Sequence, residues 1–244
     1  MNPYPNMPVL TTAQMVEVDR LMIEEWQISL IQMMENAGRN LAELTRRYLG
    51  GSVAGKKVVV LSGMGNNGGG GMVAARHLHN WGALIDLAII GDKEKLKEIP
   101  AAQAMIANKL GIVTSQPELS SADVIIDALI GYGLTGAPRS PIAMWVTQAN
   151  ASAKPIIALD NPTGLNTTSG IPSDPCIRAA VTLTLALPKV GLLKEEAKPY
   201  VGMLYLADIG VPPELYAAPS LQLNVVSPFI HDPIIKLDYR NQEL

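Results

Sequence analysis

The sequence predicts an α/β fold: a mostly parallel central sheet covered by helices on both faces, with an N-terminal helical preface. Two observations predict it. Short unbroken apolar runs, such as Val58-Val59-Val60-Leu61, alternate with longer stretches of helical period, and strands buried on both faces read as such runs. The runs are joined by helix-length segments, which imply right-handed crossovers and a sheet covered on both sides. A chain of 244 residues with 48% hydrophobic content is long and apolar enough to bury that core.

Thr11-Thr12 open a helix carried by Met15, Val18, Leu21 and Met22. A second helix runs from about Leu30 to Leu49 on Met33, Ala37, Leu41 and Leu44, at intervals of three and four residues. The first strand, Val58 to Leu61, leads through a glycine-rich turn to a helix from Met72 to Trp81. Strands are then expected at Leu84 to Ile90, Val124 to Leu129 and Ile156 to Leu159, separated by helices at Glu94 to Leu110 and Ile142 to Asn150. Val181 to Leu187 and Met203 to Ala207 read as later strands. The whole chain, 1–244, reads as one domain with its core at about 13–215. From about Pro219 to Leu244 the periodicity is weak, and a loosely docked tail is expected.

Composition narrows the function. With 17% charged residues, long disordered tracts are not expected. A formal charge of −3 gives no electrostatic case for a nucleic-acid partner. Cys176 is the sole cysteine, so no intrachain disulfide can form, which fits a reducing compartment. With no catalytic neighbour in sequence, it reads as core filler. No apolar run approaches the roughly 20 residues that span a bilayer. The opening MNPYPNMPVLTTAQ lacks the cationic start and apolar run of a signal peptide. The expected location is cytoplasmic.

Three loops carry the chemistry. The first, Gly63-Met64-Gly65-Asn66-Asn67-Gly68-Gly69-Gly70-Gly71, joins a strand to a helix. Glycines there allow positive φ and close backbone approach, and a helix start offers unpaired N–H donors, so an anionic, phosphate-bearing ligand is expected. Gly63, Gly65 and Gly68 satisfy the dinucleotide pattern G-x-G-x-x-G, yet Asp86 and Asp92 are poorly placed as its ribose-binding acid. A Walker loop is excluded, because no Gly-Lys-Ser/Thr follows.

The second loop runs from Asp127 to Gly136 and the third from Asp160 to Asn166, each with an Asp at or near a strand's carboxyl end. Either Asp alone is as readily a helix cap or turn former. In a parallel sheet, however, those ends share one edge, where ligands bind. No His/Cys/Glu cluster has transition-metal spacing; His77, His79 and His231 read as structural or surface residues. The Asn67 amide, Asp127 carboxylate and Thr163 hydroxyl are oxygen donors suited to a hard cation. Asp160, at a strand end among apolar residues, is the candidate general acid/base.

At these residues the chain resembles the YjeF N-terminal-like family, whose characterised enzymatic members are NAD(P)HX epimerases. The resemblance covers roughly Ala13 to Leu215. It includes Met34-Glu35-Asn36-Ala37-Gly38, Gly65-Asn66-Asn67-Gly68-Gly69 continuing to Leu78, Asp127 to Gly136, Asp160 with Pro162 to Leu165, Leu187-Pro188-Lys189, and Asp208 to Pro212. It implies a Rossmann-like fold, often dimeric, that binds hydrated nicotinamide nucleotide, NAD(P)HX, and interconverts its R and S forms. By position, Asn66, Asn67, Gly68, Gly69 and Gly70 would contact the substrate, as would Gly131, Tyr132, Gly133, Leu134, Thr135, Gly136, Ala137 and Asp160. Asn67, Asp127 and Thr163 would hold a potassium ion.

The family usually has Gly-Gly-Asp-Gly in the first loop, whereas this chain has Gly70 in place of the acid. Asn161 likewise stands where an aliphatic residue is usual. These departures make a catalytically impaired nucleotide-binding or scaffold relative the alternative to an active epimerase. A Rossmann oxidoreductase is a third possibility, weakened by the poorly placed ribose acid.

Overall fold

The computed structural model describes residues 7–134 and 136–237. The described residues form seven strands, of which the first six are the expected apolar runs: β1 (Lys57–Ser62), β2 (Leu84–Ile89), β3 (Val124–Ala128), β4 (Ile156–Leu159), β5 (Val181–Leu185), β6 (Met203–Ala207) and β7 (Ile234–Lys236). They form one sheet in the order β2-β1-β3-β4-β5-β6-β7. All pairs are parallel except β6 with β7. From β1 the chain moves outward to β2 and then returns to β3 on the other side. In register, Val60 therefore lies beside Leu87 on one flank and Ile126 on the other. A sheet that reverses direction in this way leaves a crevice beyond the carboxyl ends of the two diverging strands.

Helices α1 (Thr12–Arg20), α2 (Leu30–Tyr48), α3 (Asn66–Asn80), α4 (Glu98–Lys109) and α5 (Ile142–Ala151) correspond to the expected helical stretches, and α6 (Lys198–Val201) and α7 (Pro213–Tyr216) are single turns. Helix α1 runs on through a π-helical turn at Leu21–Glu25. Its start is fixed by a capping box: Thr11 N donates to Gln14 Oε1 at 2.9 Å, and Gln14 N donates to Thr11 Oγ1 at 3.2 Å. Successive residues of β1 face opposite layers. Val58 and Val60 pack with Leu41, Met72 and Leu78 of α2 and α3, while Val59 and Leu61 pack with Val146 and Ala149 of α5. That is why the run is apolar without alternation.

Two expectations are revised. The glycine run is not a turn: α3 begins at Asn66, so Gly68 to Gly71 lie inside the helix. None of them has positive φ. They serve close approach instead. A Cβ on Gly68 would lie 1.9 Å from the Gly63 carbonyl oxygen, and one on Gly71 2.5 Å from Ala128 Cβ. On the neighbouring helix, a Cβ on Gly38 would meet Val73 Cβ at 2.4 Å, so α2 and α3 touch nearly backbone to backbone there.

The second revision concerns the stretch after Pro219. Leu221 is buried with Met15 and Val18 of α1, and Ile234, Ile235 and Leu237 are buried with strand residues of the sheet. Within this stretch, β7 pairs Ile235 with Leu206. Weak periodicity hid a three-residue edge strand, too short to show alternation. Residues 238–244 lie outside those described.

Candidate active site

The crevice predicted by the strand order contains a cavity of about 460 Å³. Its sheet-side wall comes from the three loops: Gly65, Asn66, Asn67 and Gly70 from the first, Ile130 to Gly133 from the second, and Asp160 from the third. The facing wall comes from the helical preface, with Met15 and Asp19 of α1 and Met33 and Met34 of α2. A mostly apolar hollow with a few polar groups is the usual form of a small-molecule site.

Asp160 follows β4 directly and adopts φ +68°, a conformation that side-chain-bearing residues rarely take and that costs on the order of 1–3 kcal/mol. Its N–H donates to Leu183 O at 2.7 Å, which holds the turn to the neighbouring strand. The side chain is 3% exposed yet lines the cavity. Its Oδ1 accepts from Lys189 Nζ at 2.6 Å, and its Oδ2 from the Tyr132 backbone N–H at 3.1 Å. Lys189 is itself 0% exposed. Its remaining N–H groups reach Leu185 O at 2.8 Å and Thr184 Oγ1 at 3.2 Å, so the buried ammonium is fully bonded.

Tyr132 bridges two carboxylates. Its backbone N–H holds Asp160, while its hydroxyl donates to Asp19 Oδ2. Asp19 is mostly enclosed, and desolvation raises its pKa although Tyr132 and Lys189 oppose the shift. Burial, with the nearby charge of Asp19, also pushes the Tyr132 phenol well above its ordinary range.

Beneath the cavity lies a second polar cluster. Asp127 is 0% exposed, and burial raises its pKa to about 6 against three opposing hydrogen bonds. These come from Leu129 N at 3.1 Å, Thr163 N at 2.8 Å and Thr163 Oγ1 at 2.8 Å. Thr163 Oγ1 also accepts from Ile130 N at 3.0 Å, which ties the third loop to the second. Asn67 approaches the same loop: a Cβ on Gly131 would lie 3.2 Å both from Asn67 Oδ1 and from Asp160 Oδ2. The buried Asn67 Nδ2 has no partner among the described residues. A buried carboxylate beside a hydroxyl, with no cationic side chain bonded to it, is an oxygen donor set that suits a hard cation, whereas the orphaned Asn67 Nδ2 is a donor and calls for an acceptor.

Of the residues named from sequence, Asn66, Asn67, Gly70, Gly131, Tyr132, Gly133 and Asp160 border the cavity. Gly68 and Gly69 are buried in α3 behind it, Gly69 against Met34. Leu134 and Gly136 instead border a separate depression of about 250 Å³ beside Gly164 and Pro172. Ala137 is exposed, and Thr135 lies outside the described residues. Cys176 is buried with Leu165 and Leu192, and burial pushes its thiol up to about 12. His77 bonds Glu35 at 2.8 Å, joining α3 to α2 away from the cavity lining.

Sequence reasoning missed Lys189 and Asp19 as site residues. A faint signal existed for the lysine. It is the only charge in Leu185 to Leu193, and a lysine buried in such a run requires a counter-charge. Asp19 carried none, because it sits in an ordinary amphipathic helix.

A cavity holding carboxylates at the reversal point of a parallel, helix-covered sheet defines a Rossmann-like ligand-binding protein. The chain belongs to the YjeF-related protein N-terminus family, whose model matches residues 30–191. It is 43% identical over 236 residues to the NAD(P)H-hydrate epimerase of Dehalogenimonas lykanthroporepellens, covering 96% of this chain and 94% of that protein. To the NAD(P)H-hydrate epimerase of Rhodopirellula baltica it is 37% identical over 222 residues, covering 88% and 89%. The bifunctional NAD(P)H-hydrate repair enzyme of Moorella thermoacetica is 35% identical, and there the match covers 86% of this chain but 42% of the longer protein. The crystal structure of yeast ynu0 superposes with a TM-score of 0.80 at 26% identity, covering 95% of this chain and all of that one. Among the described residues no helix is long and apolar enough to cross a membrane.

Proposed function

We propose that the protein epimerises the R and S forms of hydrated NAD(P)H, with Asp160 as a general acid/base. The observation that carries this reading is a carboxylate presented to a cavity of about 460 Å³ by a strained turn and anchored from behind by Lys189. Relatives named NAD(P)H-hydrate epimerase across nearly their whole length support the substrate.

The chemistry suits the residues. In the hydrate a hydroxyl sits on the carbon beside the ring nitrogen. Protonation of that hydroxyl lets the nitrogen lone pair expel water and leave a planar iminium; water returning to the other face completes epimerisation. A positioned carboxylate moves the proton and stabilises the transient cation. The opening of α3 presents N–H donors and the Asn66 and Asn67 side chains to the ligand. Asn67, Asp127 and Thr163 would hold potassium, which when bound supplies positive charge beside the buried Asp127 carboxylate. A cytoplasmic homodimer is part of the same reading.

The test is direct. Purified protein added to one epimer should speed its interconversion, followed by proton NMR, and Asp160→Asn should lower the rate by about 10²–10⁴-fold. A wild-type rate equal to the uncatalysed one sinks the proposal, and ligand binding by calorimetry without turnover would mark an impaired relative instead.

A further inference from the structure

We propose that Asp19 is the second proton-transferring group of this cavity, giving its proton to the departing hydroxyl while Asp160 takes one from the returning water. The inference rests on the epimerase reading and divides the acid and base roles between two walls of the cavity.

The division follows from hydrogen-bond direction. Both Asp160 oxygens accept, one from Lys189 Nζ at 2.6 Å and the other from Tyr132 N–H at 3.1 Å. A carboxylate so engaged is arranged to receive a proton and has none to give. The proton needed to expel the hydroxyl must come from elsewhere on the lining. The Tyr132 hydroxyl is committed to Asp19 Oδ2. Asp19 Oδ1 makes no hydrogen bond among the described residues, and Asp19 borders the cavity. Burial favours its protonated form. Around it stand Tyr132 from the second loop, Asp160 after β4, Lys189 after β5 and Tyr216 of α7. Asp160 favours the protonated form of Asp19, while Lys189 and the Tyr132 hydrogen bond oppose it.

The step balances. The Asp19 O–H bond breaks as its proton passes to the hydroxyl oxygen; the carbon–oxygen bond breaks with its electron pair on the departing water; the ring-nitrogen lone pair forms the C=N bond. Water then adds at carbon, its proton goes to Asp160, and the C=N pair returns to nitrogen. Nothing is oxidised. Asp19 has lost one proton and Asp160 has gained one, and turnover of the opposite epimer or exchange with solvent restores both.

The experiment is a pH–rate profile of wild type, Asp19→Asn and Tyr132→Phe. The donor must be protonated, so on the alkaline side of the profile wild-type kcat falls as pH rises through the Asp19 pKa. Asp19→Asn should lower kcat by about 100-fold, with KM little changed, and abolish the alkaline fall. Tyr132→Phe removes a bond that favours the ionised form, so its fall should move to higher pH. An Asp19→Asn enzyme with wild-type kcat and the same alkaline limb overturns the inference. If that variant does not fold, an unmoved limb in Tyr132→Phe does so. A carbon-13 NMR titration of the Asp19 carboxyl gives an activity-independent reading. An ordinary aspartate value, unchanged in Tyr132→Phe, refutes the Asp19 role even in a protein that turns nothing over, whereas absent wild-type turnover alone refutes the epimerase reading.

Discussion

Lys189 Nζ and Asp160 Oδ1 lie 2.6 Å apart, with side chains 0% and 4% exposed, although 29 residues separate them in the chain. Each strand leading to the pair ends in a left-handed residue, Asp160 itself after β4 and Ala186 after β5. The two turns bring the charges together across adjacent parallel strands. Removing one partner of such a pair strands the other in a desolvated site.

Lys189→Met should therefore destabilise the fold by about 3–5 kcal/mol. The double variant Lys189→Met with Asp160→Asn should recover a large part of that loss, because no uncompensated charge remains. Urea unfolding of the four members of this cycle measures it. A single variant as stable as wild type would show that the pair does not hold the turn.

The helical glycines should differ sharply in tolerance. Gly→Ala inside an open helix gains about 1 kcal/mol. At Gly68 the new carbon would lie 1.9 Å from the Gly63 carbonyl oxygen, backbone that cannot yield, and the change should cost at least about 1–3 kcal/mol. At Gly70 the nearest atom, at 2.9 Å, is the flexible Leu159 Cδ2. Gly70→Ala should melt near wild type, and Gly70→Asp should fold and add a carboxylate to the cavity, raising affinity or activity. Thermal melts rank the three, and equal losses at both positions would contradict the packing account.

Potassium should stabilise the protein independently of turnover. Against tetramethylammonium, a saturating excess of about 100 times Kd is worth about 2.7 kcal/mol, or several degrees in Tm for a chain of this size. Thr163→Val and Asp127→Asn should abolish the increment. Equal stabilisation of all three proteins by potassium would remove the assignment of these side chains to the ion.

At the C-terminal side, Arg47 clamps Asp232 with Nη1–Oδ2 at 2.8 Å and Nη2–Oδ1 at 3.1 Å. The Arg47 hydrogen bond holds the Asp232 pKa below its ordinary value. A depressed carboxylate pKa stabilises above the unfolded-state pKa, and that contribution disappears as pH falls through the folded one. Both groups are about 40% exposed, so Asp232→Ala should cost no more than about 1 kcal/mol at pH 7. Denaturation of the two proteins should converge in strong acid; a gap that persists there would assign the effect to packing.

Period and apolarity made the sheet legible in the sequence, because strands buried on both faces cannot be written any other way. The loops at the strand ends were legible for a different reason: three loops bearing glycine or aspartate follow parallel strands, and the carboxyl ends of such strands share one edge. What stayed hidden depends on contacts between distant segments. Gly68 to Gly71 look like a flexible turn until Gly63, Ala128 and Leu159 are seen pressed against them. Strand β7 has only three residues and takes its place from β6. The partners of Lys189 and Asp19 lie 29 and 113 residues away, beyond the reach of any local pattern.

The helical preface has a consequence for folding order. Met15, Asp19, Met33 and Met34 form one wall of the cavity, while its other wall is drawn from residues 64–209. Helices α1 and α2 thus enclose nothing until the sheet has formed. Any occupant of the cavity must be gripped between the two, so it will slow amide exchange in α1 and α2 and fasten these helices to the sheet.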